Sequence, residues 1–166
     1  MNVVVQLEPA ATAAPVATYR WDADTEILIA RLDGVSPAGG MSGSVELAGS
    51  DGSWLVFDVA GGRIRAVEVA VWPEVRPRPG LSAPTKVEDA SVVLPARASQ
   101  PGIASLAVDT PLMAEADEAR RVIHFRLGAS RDLRTIRLAT NLLLEVDSRR
   151  QIAGVWFLGV PPIPST

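Results

Sequence analysis

Hydrophobic and polar positions alternate with a period of two along most of this chain. In Ile27–Leu32, Leu28, Ala30 and Leu32 fall on one face, and Ile27, Ile29 and Arg31 on the other. In Arg63–Val71, Ile64, Ala66, Glu68 and Ala70 alternate with Arg65, Val67, Val69 and Val71. Apolar residues on both faces predict a strand between two layers or beside a partner. Gly61-Gly62 separates that run from Leu55–Ala60 and reads as a tight hairpin turn, because glycine accepts the positive φ such turns need. Met1–Pro9 reads as a first strand, with further strands within Lys86–Leu94 and over Ile103–Val108. Met113–Arg120 holds good helix formers over only about two turns, so it reads as a turn or one short helix.

The runs come in two sets. Trp21–Leu32 and Leu55–Val69 have counterparts in Arg121–Leu127 and Leu142–Phe157. Val67 and Val155 are 88 residues apart, as are Trp72-Pro73 and Val160-Pro161, whereas Leu32 and Leu127 are 95 apart. The difference falls in the longer Gly34–Gly43 loop of the first set. Asp147-Ser148-Arg149-Arg150 takes the place of Gly61-Gly62 and is one residue longer. A repeat at fixed spacing is an architectural statement. The expectation is an all-β fold of about ten strands in two tandem pseudo-repeats that form one sandwich or barrel, with at most one short helix. Residues 1–75 form the first repeat, 76–101 a proline-rich connection with a possible strand, and 102–166 the second repeat.

Composition narrows the function classes. With 166 residues, 48% of them hydrophobic, the chain can bury one substantial core. No apolar run approaches the roughly 20 residues of a membrane helix, so no membrane role is expected. The opening residues lack a signal peptide's basic region. The absence of cysteine excludes disulfides, thiolate metal sites and cysteine nucleophiles. Both features fit a cytoplasmic protein. Of 16 basic residues only Lys86 is a lysine. Residues 1–119 carry 8 basic and 16 acidic side chains, a net charge of −8, whereas residues 120–150 carry 8 arginines against 3 acids, a net charge of +5. Such a dipolar chain could dock head-to-tail or bind an anion, or its arginines could line solvated strand faces.

Trp21–Leu32 also resembles a small bacterial all-β domain family of unknown function, with a pattern like Y-D-x-E-x-D-x-L-Y-I-x-L. Trp21 stands at the tyrosine, Asp22 at the first aspartate, and Asp24 and Glu26 at the later acidic places. Glu145, Asp147, Ile152, Gly154, Val155 and Phe157 follow the family's continuation, V-D-x-D-x-x-G-x-V-x-G-I-E-I. Arg150 stands there in place of glycine and Trp156 in place of glutamate. The first set keeps Asp58, Gly62, Ile64, Val67 and Glu68. The resemblance implies a small bacterial β-domain and no particular activity.

Few residues carry chemistry. His124 is the only histidine, which rules out a two-histidine zinc site. It reads as a structural or surface histidine; as a catalytic base it would need an orienting carboxylate. Asp22, Asp24 and Glu26 share one face of an extended segment, or form a solvated turn before a strand. They lack the glycine and terminal glutamate of a calcium loop. No metal and no cofactor are expected. Trp21, Trp54, Trp72 and Trp156 lie at strand ends, where tryptophan closes a core, lines a pocket or anchors an interface. Trp21, Trp54, Arg126 and Trp156 are the binding candidates.

The expected function is a non-catalytic binding or assembly module. Edges with almost no lysine favour pairing with a second chain, so a homodimer is expected and a protein partner possible. One alternative is a small metal-independent β-barrel enzyme, an isomerase, cyclase or hydrolase using His124. Another is an anion or nucleic-acid binder using Arg120, Arg121, Arg126, Arg131, Arg134 and Arg137. Phe125 is the only aromatic within that basic stretch, so nucleic acid is the weaker partner.

Overall fold

A computed structural model describes residues 3–10, 12–96, 103–109, 111–128 and 132–164, with the backbone alone over 103–109. The fold is all-β. The strands are β1 (Gln6–Pro9), β2 (Thr18–Asp22), β3 (Ile27–Arg31), β4 (Ser42–Ala48), β5 (Trp54–Ala60), β6 (Arg63–Val71) and β7 (Val75–Pro77). They continue with β8 (Ala90–Val93), β9 (Ile103–Asp109), β10 (Leu112–Ala116), β11 (Val122–Leu127), β12 (Arg134–Ala139), β13 (Leu142–Val146) and β14 (Ile152–Leu158). Among the described residues there is no helix and hence none able to cross a membrane.

Two six-stranded sheets and one two-stranded ribbon result, and no barrel closes. The first sheet runs β2-β3-β6-β5-β4-β9, the second β12-β13-β14-β11-β10-β7, and β1 pairs with β8. Five consecutive strands in each sheet share one order: β2-β3-β6-β5-β4 and β10-β11-β14-β13-β12. Register repeats as well. The pairs Leu28–Val69 and Ala30–Val67 have counterparts in Ile123–Phe157 and Phe125–Val155. Those positions lie 95 residues on in β11 and 88 on in β14, the spacings read from the sequence.

Alternation explains the core. Leu28, Ala30, Phe57, Val67 and Val69 of the first sheet, and Ile123, Phe125, Leu142, Leu144, Val155 and Phe157 of the second, join one buried cluster. Within it Phe125 and Phe157, on neighbouring strands of the second sheet, meet edge-on at 5.6 Å, and Tyr19 of the first sheet leans on Phe157. The Tyr19 hydroxyl donates to Asn141 O at 2.6 Å and accepts from Leu158 N at 3.0 Å. Burial raises the Tyr19 pKa, partly offset by the Leu158 N–H. Register shifts between Asp58 and Val59 let Ile64 and Val67, three residues apart in β6, both face inward. Strict alternation would have put Ala66 there instead.

The halves interlock. Val5 N donates to Arg150 O and Ile152 N to Val3 O, so the first segment bonds to the second sheet. Strand β9 instead pairs in parallel with β4 of the first sheet, although it lies in the range read as the second repeat. An isolated parallel bridge from Glu88 to Ile136 holds the equivalent edge of the second sheet.

The structure decides between the two forms read for each of two segments. Leu112–Ala116 is strand β10, followed by a turn, and not a helix. Leu112, Ala114 and Ala116 are buried, while Met113 is exposed and Glu115 half-buried. That period-two burial against β11 outweighs helix propensity. Asp22 ends β2, and Ala23–Glu26 form the solvated turn before β3, the second of the two forms read for that segment: Asp22 Oδ1 accepts from Asp24 N and Thr25 N, and Glu26 has φ 59°. Gly61 and Gly62, at φ 55° and 79°, make the expected hairpin.

Candidate functional site

Between the sheets, at their β2 and β11 ends, lies a cleft of about 420 Å³. Its lining includes Trp21, Trp72, Arg120, Ile123, Pro161 and Ile163. The volume lies within the range of small-ligand pockets. Trp21 comes from β2. Trp72 follows β6 immediately before Pro73, which lacks a backbone donor and cannot extend the ladder. The two indoles stack at 5.8 Å with planes 20° apart, and Trp72 rests on Phe125 at 5.7 Å. Both indole N–H groups are committed, Trp21 to Pro161 O and Trp72 to Glu26 O, each at 2.7 Å. The tryptophan wall is therefore held in place on both sides.

The tail supplies the facing wall. Val160 is 1% exposed, and its N–H donates to Arg121 O. It anchors Pro161 and Pro162 against the wall. Glu26 and Arg120 bring opposite charges to the rim. Arg120 sits at φ 54° in a turn held by Asp117, whose carboxylate accepts from Arg121 N and Val122 N.

A second constellation occupies the outer face of the second sheet. His124 Nε2 lies 2.5 Å from Glu145 Oε1, both side chains nearly buried. Trp156 stacks on the imidazole at 3.9 Å with planes 7° apart. The pair reaches across β14 because Gly154, opposite Glu145 in register, has no side chain. A Cβ there would stand 2.7 Å from Phe125 O and closer still to Glu145 Oε1. Gly154→Ala is therefore expected to lose about 2–3 kcal/mol by overpacking against backbone that cannot recede. Urea unfolding would measure it, and a loss below about 0.5 kcal/mol would contradict the packing described.

Charges pair across segments of the chain. Arg78 bonds Glu115, Arg134 chelates Glu88 through two hydrogen bonds, and Arg137 bonds Asp89. The connection thus offsets part of the second half's positive charge. Arg78 holds Glu115, and Arg134 holds Glu88, below the usual carboxylate range. A depressed pKa contributes stability that is full above the unfolded value and is lost as pH falls through the folded one. The urea midpoint is expected to drop below about pH 4.5, less steeply in Arg78→Gln. Equal acid slopes in the two proteins would contradict this.

The binding candidates separate. Trp21 lines the cleft. Trp54 begins β5, is 40% exposed and lines no part of it. Trp156 lies inside β14, not at a strand end, and its Nε1 is buried without a partner. Arg126 pairs in register with Gly154, beside the His124–Glu145 pair. Of the basic stretch, Arg131 lies outside the described residues. Trp72 and Glu145 are additional. Their signals were a tryptophan before a strand-ending proline, and one carboxylate within the apolar run Leu142–Val146. Among the described residues no three acidic or histidine side chains converge on a metal position.

No family model matches this chain, and neither does any curated protein.

Proposed function

We propose that this chain is a non-catalytic binding module that captures an extended, proline-bearing segment of a protein partner in its tryptophan-walled cleft. The observation that carries the reading is the Trp21 indole donating to Pro161 O while stacked on Trp72, beside about 420 Å³ of open cleft. Proline-rich segments are recognised in this way: a preformed extended helix lays its rings on aromatic walls. The chain's own Pro161-Pro162 illustrates the fit.

Calorimetric titration with a synthetic proline-rich decapeptide tests the reading. Trp72→Leu is expected to weaken binding about tenfold or more, and Trp54→Ala to leave it unchanged. Absence of binding, or equal losses in the two variants, would contradict the proposal.

The matched strand order and register support reading the halves as a tandem duplication of one five-stranded unit. They also fit the resemblance to a small bacterial β-domain. Exposed Trp54 and Val71, at 40% and 45%, are the apolar surface on which a homodimer would draw. Lack of cysteine supports a cytoplasmic setting.

A second reading, a small metal-independent enzyme, is favoured by one observation, the buried His124–Glu145 pair. A carboxylate that orients an imidazole is half of a general-base arrangement. His124 lines no part of the tryptophan cleft. If a hydrolase or isomerase activity is found, His124→Gln must abolish it.

A further inference from the structure

We propose a second, independent site that takes a small oxyanion, a phosphate or carboxylate group, between Arg63 and Arg137. Both arginines line a separate cleft of about 290 Å³. Residues 12–15 and β6 contribute to its walls, together with segments in which the two halves differ. The Gly34–Ser36 loop, the Asp89–Val92 part of the connection and the Arg137–Leu138 end of β12 meet there.

The two guanidinium groups are in different states. Arg137 is held by Asp89, Nη1 to Oδ1 at 2.7 Å. Among the described residues Arg63 has no ion-pair partner, and its Nε is buried with no acceptor. A buried donor left unpaired costs about 1–3 kcal/mol, more when it is charged. Such a group in a folded protein calls for a bound water or ion. Arg63 lies in an open cleft beside a second arginine, with the hydroxyl-bearing Ser36 and Ser91 in the lining. An oxyanion offsets the excess charge, because Arg63 and Arg137 face only Asp89 among the charged groups that line the cleft. Leu32 and Val35 beside them suit a small apolar body attached to the anionic group.

The arginines of residues 120–150 suggested anion binding on the second half alone. The geometry moves the site to the junction, where Arg63 of β6 supplies the free charge and Arg137 the second. Arg134 is excluded by its two bonds to Glu88.

Calorimetric titration of the full chain with sodium phosphate, and separately with sodium acetate, in a low-salt zwitterionic buffer tests this. One site is expected with a Kd of about 1 mM or tighter for at least one of the two anions. Binding is expected to be lost at about 0.5 M sodium chloride. Preference for phosphate identifies a phosphoryl ligand, and preference for acetate a carboxylate. Arg63→Gln is expected to weaken binding about tenfold or more, and Arg149→Gln, on an exposed turn, to leave it unchanged. Should Arg63→Gln fail to fold by circular dichroism, Ser36→Asp, which brings a carboxylate into the cleft, must abolish binding. Absence of binding by both anions, equal losses in Arg63→Gln and Arg149→Gln, or undiminished binding in Ser36→Asp would overturn the proposal.

Discussion

Glu145→Ala is expected to destabilise the fold by about 3–5 kcal/mol, the usual cost of removing one member of a buried ionisable pair. Glu145 is 5% exposed, and His124, 8% exposed, makes its one described side-chain hydrogen bond to it. Truncation leaves the imidazole under Trp156 with a buried ring nitrogen unsatisfied, and removes packing next to Gly154. Glu145→Gln keeps the shape and one hydrogen-bonding oxygen, so it is expected to cost about 1–2 kcal/mol. Urea unfolding of the three proteins checks the ordering. If Glu145→Ala lost less than about 1 kcal/mol, the pair would be no structural element.

The second large effect is in the core. Phe157→Ala is expected to lose about 3–5 kcal/mol, the transfer free energy of a buried phenyl plus the cost of the cavity left behind. Phe157 is fully buried and touches the rings of Phe125 and Tyr19. It therefore joins the second sheet to β2 of the first. Its counterpart in register in the first half is Val69, also fully buried. Val69→Ala removes two methyl groups and should cost less. Thermal unfolding that ranked Val69→Ala as the worse variant would place the main weight of packing in the first sheet instead.

Period-two alternation made the strands legible, because a strand with one buried face announces itself by that pattern. It failed at Met113–Ala116, where alanine and glutamate suit a helix but alternate burial against β11 selects a strand. The 95- and 88-residue offsets read from the sequence coincide with matching pairs between β3–β6 and β11–β14. The interlocking was not legible, because β9 crosses to the first sheet through long-range pairing that leaves no local signature.

The site was half legible. Trp21 could be picked out as an aromatic at a strand end. Its partner Trp72 is 51 residues further along the chain, and the β2–β3 and β3–β6 pairings together bring the two indoles into contact. The His124–Glu145 pair depends on adjacent positions in three strands and on the missing side chain of Gly154. In the first half Ile29 and Asp58 stand at the corresponding register positions, so repetition alone could not reveal the pair.

The binding reading is tested most directly by the four tryptophan indole N–H signals of an isotope-labelled chain, read by nuclear magnetic resonance as a proline-rich decapeptide is added. Trp21 and Trp72 form the cleft wall, whereas Trp54 and Trp156 lie elsewhere and serve as internal controls. The expected result is progressive, saturable movement of the Trp21 and Trp72 signals with Trp54 and Trp156 stationary. Four stationary signals, or movement confined to Trp54 or Trp156, would contradict the cleft as the binding site.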